Sequence, residues 1–177
     1  MEGLNAALTQ LIPNSEFAPG EVATVRNELV RKVVQWASTE LKKPAKELVV
    51  RDIRPSADLS RTYEDWADIS GATTAAYETL TTGTNAADRW IAFYGVTVQE
   101  DVACSLIKFN IGGGDRVIWM IGSLKAQDDF TGTSPAGIVI PPNQPFTISR
   151  YVIQAIAGAR IDLKGFVVEP RGKVISP

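Results

Sequence analysis

Apolar residues recur along this 177-residue chain in two rhythms, one helical and one alternating. At the start, Leu4, Leu8 and Leu11 fall at i, i+4 and i+7, with Ile12 beside them. That places one apolar stripe on a short helix, ended by Pro13-Asn14-Ser15. A second and longer helix is expected after Pro19-Gly20, where Val22, Val25, Leu29, Val33 and Trp36 recur at helical spacing. Arg26, Asn27, Glu28, Arg31 and Lys32 take much of its other face. Lys42 and Lys43 suit the negative end of a helix dipole, and Pro44 stops the helix.

Past Pro44 the period shortens to two. Leu48–Arg54 reads as a strand closed by Pro55. Residues 56–87 read as loop-rich connection with a short strand or helical turn near Tyr63–Ile69. From Asp88 onward strand signals crowd together. Arg89–Val98 is a long strand with Gly95 a candidate bulge. Ser105–Ile111 alternates, Gly112-Gly113-Gly114-Asp115 marks a tight hairpin turn, and Val117, Trp119 and Ile121 form the inward face of the returning strand. Lys125–Pro135 reads as a polar loop. Ile138-Val139-Ile140, Phe146–Ile153 and Arg160–Glu169 are further strands. About eight short strands with Gly/Pro punctuation and no intervening helices predict a mainly β fold, an antiparallel, jelly-roll-like β-sandwich. The chain thus divides into a two-helix arm over residues 1–43 and a sandwich domain over residues 44–177.

The stripe on the second helix must be covered, by the chain's own sheet or by a neighbouring subunit. Val22, Val25, Leu29, Val33 and Trp36 are therefore the candidate subunit-interface residues, and the arm is expected to reach another copy. A homo-oligomer follows, with a trimer favoured.

Composition narrows the chemistry. The chain has no histidine and one cysteine, Cys104. Without histidine there is no Ser-His-Asp or Cys-His nucleophilic site and no histidine metal centre. A carboxylate-only hydrolase remains conceivable, but it needs two acids converging in one cleft. Cys104 lies in the apolar stretch Val102–Leu106 and reads as a small buried hydrophobe. Lysine and arginine number 18 against 20 acidic residues, a net charge of −2, with no clustered cations to hold a phosphate backbone. No nucleic acid, membrane, metal or cofactor is expected, and no catalytic residue is assigned.

The remaining motifs favour plain readings. Gly112-Gly113-Gly114 lacks the Gly-Lys-Ser/Thr and following helix of a phosphate loop. Asp128-Asp129 and the Asp65/Asp68 pair lack the ligand number of a calcium loop. Trp90 and Trp119 sit within alternating strands, as packing residues do. Trp66, among polar neighbours, is the exception that keeps a carbohydrate-binding module as an alternative.

The distal half follows a recognisable order. A Trp-containing strand, a Gly-rich hairpin and a second Trp strand lead into Ile138-Val139-Ile140-Pro141-Pro142-Asn143-Gln144-Pro145-Phe146-Thr147-Ile148, and the pattern closes on Gly165-Phe166-Val167-Val168-Glu169-Pro170. Residues 88–170 in this order resemble the β-sandwich structural proteins of tailed-bacteriophage virions, notably the small capsid decoration or cement proteins. The resemblance implies a virion component made in the host cytoplasm, whose partners are copies of itself and the major capsid protein or other virion subunits. A head–tail connector, neck or baseplate component is the alternative within the same class. The resemblance carries over no catalytic residue.

Overall fold

A computed structural model describes residues 21–61, 75–98, 104–120, 125–127, 131–154 and 161–172. The first expected helix, the Tyr63–Ile69 turn, Trp66 and both acidic pairs lie outside them. Within the described residues one long helix, α1 (Glu21–Leu41), precedes a single 3-10 turn (Ala45–Glu47) and strand β1 (Leu48–Asp52). A five-residue helix, α2 (Pro55–Leu59), follows, and then eight more strands. These are β2 (Ala76–Thr84), β3 (Trp90–Val98), β4 (Leu106–Ile111), β5 (Gly114–Met120), β6 (Lys125–Gln127), β7 (Thr131–Ile140), β8 (Pro145–Val152) and β9 (Ile161–Pro170).

The strands form two antiparallel sheets packed as a sandwich. One has the order β1-β9-β3-β7-β6 and the other β2-β8-β4-β5. The pairing is nested: β1 with β9, β2 with β8, β3 with β7, and β4 with β5, each antiparallel. Two further pairings, β3 with β9 and β4 with β8, join the nested pairs side by side.

Local chemistry explains the turns. The β4–β5 hairpin has two loop residues, Gly112 at φ 65 and Gly113 at φ 81. Two consecutive positive φ values give the twist that matches flanking strands, and glycine adopts them without a Cβ clash. Register against both β7 and β9 slips between Phe93 and Gly95, so the bulge expected at Gly95 is present. Its effect is to change the inward phase from Ile91 and Phe93 to Val96 and Val98, all fully or almost fully buried. At the other end of β3, the Asn85 amide donates to the carbonyls of Arg89 (2.7 Å), Ile140 (3.0 Å) and Pro141 (3.0 Å). It thereby ties the β2–β3 turn to the β7–β8 turn.

Two apolar clusters result. Between the sheets lie Phe93, Phe109, Trp119, Phe146, Ile148, Ile161 and Val167 with their neighbours, Cys104 among them. Phe109 meets Trp119 edge-on at 4.8 Å between ring centroids, within the preferred range for aromatic pairs. Outside the five-stranded sheet, α1 lays Leu29, Val30, Val33 and Ala37 on Leu48, Trp90, Ala92, Phe166 and Val168. The helix ends at Leu41 with Lys42 in the left-handed region (φ 53), and the Lys43 amide donates to the Ser38 carbonyl at 3.1 Å. That closing bond satisfies a carbonyl the last turn would otherwise leave open.

Three sequence expectations are corrected. Residues 76–84, read as exposed connection, form β2. This edge strand is half exposed, and its register slip between Thr79 and Thr81 breaks the alternation. The Lys125–Pro135 loop instead contains β6 and the first half of β7, which start at Lys125 and Thr131. Its Thr-Gly-Thr-Ser-Pro sequence has strand geometry without apolar alternation. β1 ends at Asp52, and Pro55 opens α2 at a first-turn position where its missing N–H costs nothing.

Candidate interaction surfaces

Polar groups inside the sandwich are the first place to look for chemistry. The largest set joins four residues from remote parts of the chain. Arg51 on β1 donates to Asp58 of α2 through Nη1 (2.7 Å) and Nη2 (2.8 Å), and through Nε to Glu169 of β9 (2.7 Å). Arg89, just before β3, reaches the other oxygen of Glu169 at 3.1 Å and Asp58 at 2.8 Å. The Arg54 backbone amide donates to Asp58 Oδ2 at 2.7 Å. The result is a closed ring of alternating charge, neutral in sum. Its acidic side chains are 0% and 3% exposed, and its arginine side chains 17% and 11%.

Hydrogen bonds from its side chain to Asp58 and Glu169 push the Arg51 guanidinium still further above its ordinary range. Every carboxylate oxygen is already occupied by a donor. Such a ring holds α2 to β1 and β9; it offers no free acid or base. The Thr81 hydroxyl donates to the Leu59 carbonyl, so α2 also fastens β2 and closes this flank of the sandwich. A second buried charge, Arg150 on β8, donates to Glu78 Oε2 from Nε at 2.9 Å and Nη2 at 2.6 Å. Burial pushes the Cys104 thiol up to about 12, which leaves it protonated and unreactive at neutral pH. Among the described residues no three His, Cys, Asp or Glu side chains group as metal ligands. Among them too, no helix is long and apolar enough to cross a membrane.

The exterior is more informative. Of the residues expected at a subunit interface, Leu29 (6% exposed) and Val33 (0%) are covered by the chain's own sheet. Val25 is half-buried and the Val22 side chain lies outside the described residues. Trp36 is the member left open, at 47%. The deepest line of α1 is Val30, Val33 and Ala37, rotated from the expected stripe because small and β-branched side chains let the helix close on the sheet. Trp36 stands at the flank, above a groove of about 460 Å³ between α1 and β7 that Leu29, Trp90, Val139 and Pro141 also line.

A second surface could not be seen from the sequence because register alone assembles it. On the outer face of the four-stranded sheet, Tyr77 pairs with Tyr151, Tyr151 with Leu106, and Leu106 with Met120. These four residues make one row across every strand of that sheet. Tyr77 is 42% exposed, Met120 57%, and Ile118 and Ile153 beside the row 48% and 55%. Tyr77 and Tyr151 meet edge-on at 5.2 Å and 71°, and the Lys108 ammonium sits 4.4 Å from the Tyr77 ring centroid. Toward the β4–β5 hairpin the same face turns polar: Thr82 meets Thr147 at 3.0 Å, and Asn110 donates to Asp115 at 2.9 Å. One end of this face is thus an apolar shelf and the other is hydrated.

No protein-family model matches this chain, and comparison with curated proteins gives no significant match.

Proposed function

We propose that this protein is a structural subunit of a larger particle, a virion decoration or cement protein, which works by burying the apolar row of its four-stranded sheet against a neighbouring subunit. The single observation that carries this reading is the row Tyr77–Tyr151–Leu106–Met120, with Ile118 and Ile153 beside it. Contiguous apolar groups on a rigid sheet, rimmed by polar ones, are the mark of a protein contact. The rings of Tyr77 and Tyr151 are crossed rather than coplanar, which suits a packed interface better than a flat platform for a sugar ring.

The winding supports the same class. The nested pairs joined through β3·β9 and β4·β8 support reading the sandwich as a jelly roll, a chain folded as one long ribbon and wrapped into two sheets. β6 is then an added edge strand. Viral shell domains use this architecture, as do lectins and others, so the fold only admits the class, and the exposed row carries the reading. Interior chemistry points away from catalysis, since the ionised groups of the Arg51–Asp58–Arg89–Glu169 ring are mutually satisfied and the chain has no histidine.

The partners are copies of the chain, a trimer being favoured, and the shell subunits they clamp. Light scattering of the purified chain tests the self-association. A mass near three times 19.2 kDa supports the reading, and a single-chain mass at all accessible concentrations opposes it.

A further inference from the structure

We propose that β5 is an open sheet edge that pairs with β5 of a second copy, antiparallel about a twofold axis through Trp119. The inference goes beyond the assembly reading, because it concerns backbone groups at the edge of the sheet rather than side chains on its outer face. An edge strand carries a row of N–H and C=O groups without ladder partners, and proteins cap, shorten or charge such edges. The described edges differ in this respect. The Arg171 amide bonds the Glu47 carbonyl and continues the β1–β9 ladder, so Leu48 and Asp52 turn their backbone groups to the free side of β1. Both of those carbonyls are capped, Leu48 by Arg171 Nε at 3.4 Å and Asp52 by Arg51 Nη1 at 3.0 Å. On β2, Arg61 Nη1 donates to the Leu80 carbonyl at 3.3 Å, beside the register slip. The fourth edge, β6, has three residues.

β5 lacks such a cap. The Gly112 amide donates to the Pro145 carbonyl at 2.8 Å and continues the β4–β8 ladder, so Lys108 and Leu106, in the same phase, bond toward β8. Phe109 and Ile107 therefore bond toward β5, to Val117 and Trp119. Ile118 and Met120 are left with their N–H and C=O groups turned to the open side, and no described residue bonds to them. Their side chains are also among the exposed large apolar ones. Charge on β5 stops at Asp115 and Arg116, by the slip next to the hairpin, and Val117–Met120 carries none.

A second copy matches this edge. Rotation about Trp119 sets Ile118 opposite Met120 of the other copy, and each such pair exchanges two N–H···O bonds. On the outer face each exposed Ile118 then lies against an exposed Met120. The β1 and β2 edges of a second copy are capped and its β6 is short, so β5 is the described edge that β5 fits. Two four-stranded sheets become one continuous sheet, about 38 Å wide at ~4.8 Å per strand, with the apolar rows of both copies on one face. A trimer formed through the row would be doubled by this contact, since twofold and threefold contacts combine into a closed set.

Sedimentation of the full chain tests the pairing. The wild-type protein is expected to associate in an even number of chains. Ile118→Pro removes an outward N–H from each copy, and proline is tolerated at an edge position whose N–H makes no ladder bond. That variant should keep the wild-type circular dichroism and sediment at half the wild-type mass. A wild-type mass of three chains overturns the twofold contact while leaving the particle reading in place. An even mass that Ile118→Pro leaves intact also overturns it, and a single-chain wild-type mass opposes both. Oxidation of the double variant Ile118→Cys/Met120→Cys tests the register without relying on proline. Bonded antiparallel pairs stand about 5.5 Å apart at Cα, within disulfide reach, whereas diagonal neighbours stand ~7–8 Å apart. A two-chain band on a non-reducing gel is expected from the double variant and from neither single variant. No band from the double variant, or equal bands from the single ones, overturns the pairing.

Discussion

Replacing Asp58 by alanine probes the strongest polar construction in the molecule. Its carboxylate accepts from Arg51 Nη1 and Nη2 and from the Arg54 amide, and it pairs with Arg89 at 2.8 Å. It is wholly buried, and its two guanidinium partners are less than one-fifth exposed. Removing it leaves two cations facing one carboxylate, Glu169, in a site poor in water. Breaking a buried pair by deleting one partner costs about 3–5 kcal/mol, because the remaining charge keeps its desolvation penalty. With a urea m-value near 2 kcal/mol/M, the midpoint should fall by roughly 1.5–2.5 M. A domain of this kind holds about 5–15 kcal/mol in total, so the variant is expected to be folded but marginal. Arg51→Ala should cost a comparable amount, and the Asp58→Ala/Arg51→Ala double variant much less than the sum, since it restores neutrality between Arg89 and Glu169. Equilibrium urea denaturation followed by circular dichroism measures all three. A loss below about 1 kcal/mol for Asp58→Ala, the range of an exposed pair, would refute the view that the ring is a buried staple.

Two other perturbations follow from the packing and the thiol. Gly137→Ala should destabilise by about 1–3 kcal/mol, because the left-handed φ of 59 is strained for a Cβ and Leu29 must move from 2.6 Å; thermal melting reads this, and an unchanged midpoint counts against the tight α1–β7 contact. The Cys104 pKa rises on folding from the ordinary 9.0 to about 12, so between those values the unfolded chain releases a proton that the folded one keeps. Its contribution is therefore intact below pH ~9 and is lost as pH climbs toward ~12. Native Cys104 should react with a disulfide reagent at pH ~8 only at the rate of unfolding. Fast stoichiometric reaction in the native state would contradict the burial.

Sequence periodicity carried the inner architecture well where burial is one-sided. Ile107, Phe109 and Ile111 alternate on β4, and the two glycines of the hairpin announce their turn. The helix was legible as a helix, but its inward line was set by Val30, Val33 and Ala37, whose small size matters only once the sheet is present. β2 escaped because an edge strand pairs on one side and needs no apolar alternation to be stable, only Thr and backbone bonds to β8. The charge ring escaped because its members stand at 51, 58, 89 and 169, and only pairing of β1 with β9 brings them together. A faint signal existed in Glu169, a lone charge ending the apolar run Phe166-Val167-Val168. The outer row is the clearest case: Tyr77, Leu106, Met120 and Tyr151 share no periodicity and are aligned by register alone.

The most direct test of the account compares self-association of the wild-type chain with that of Met120→Lys by sedimentation. Met120 is 57% exposed, so lysine at that position costs little within the folded chain. In an interface it removes a buried thioether and adds a charge, which should weaken association at least tenfold, about 1.4 kcal/mol, with the urea midpoint unchanged. Association that is equally strong in both proteins would contradict the assignment of the Tyr77–Tyr151–Leu106–Met120 row as the contact face.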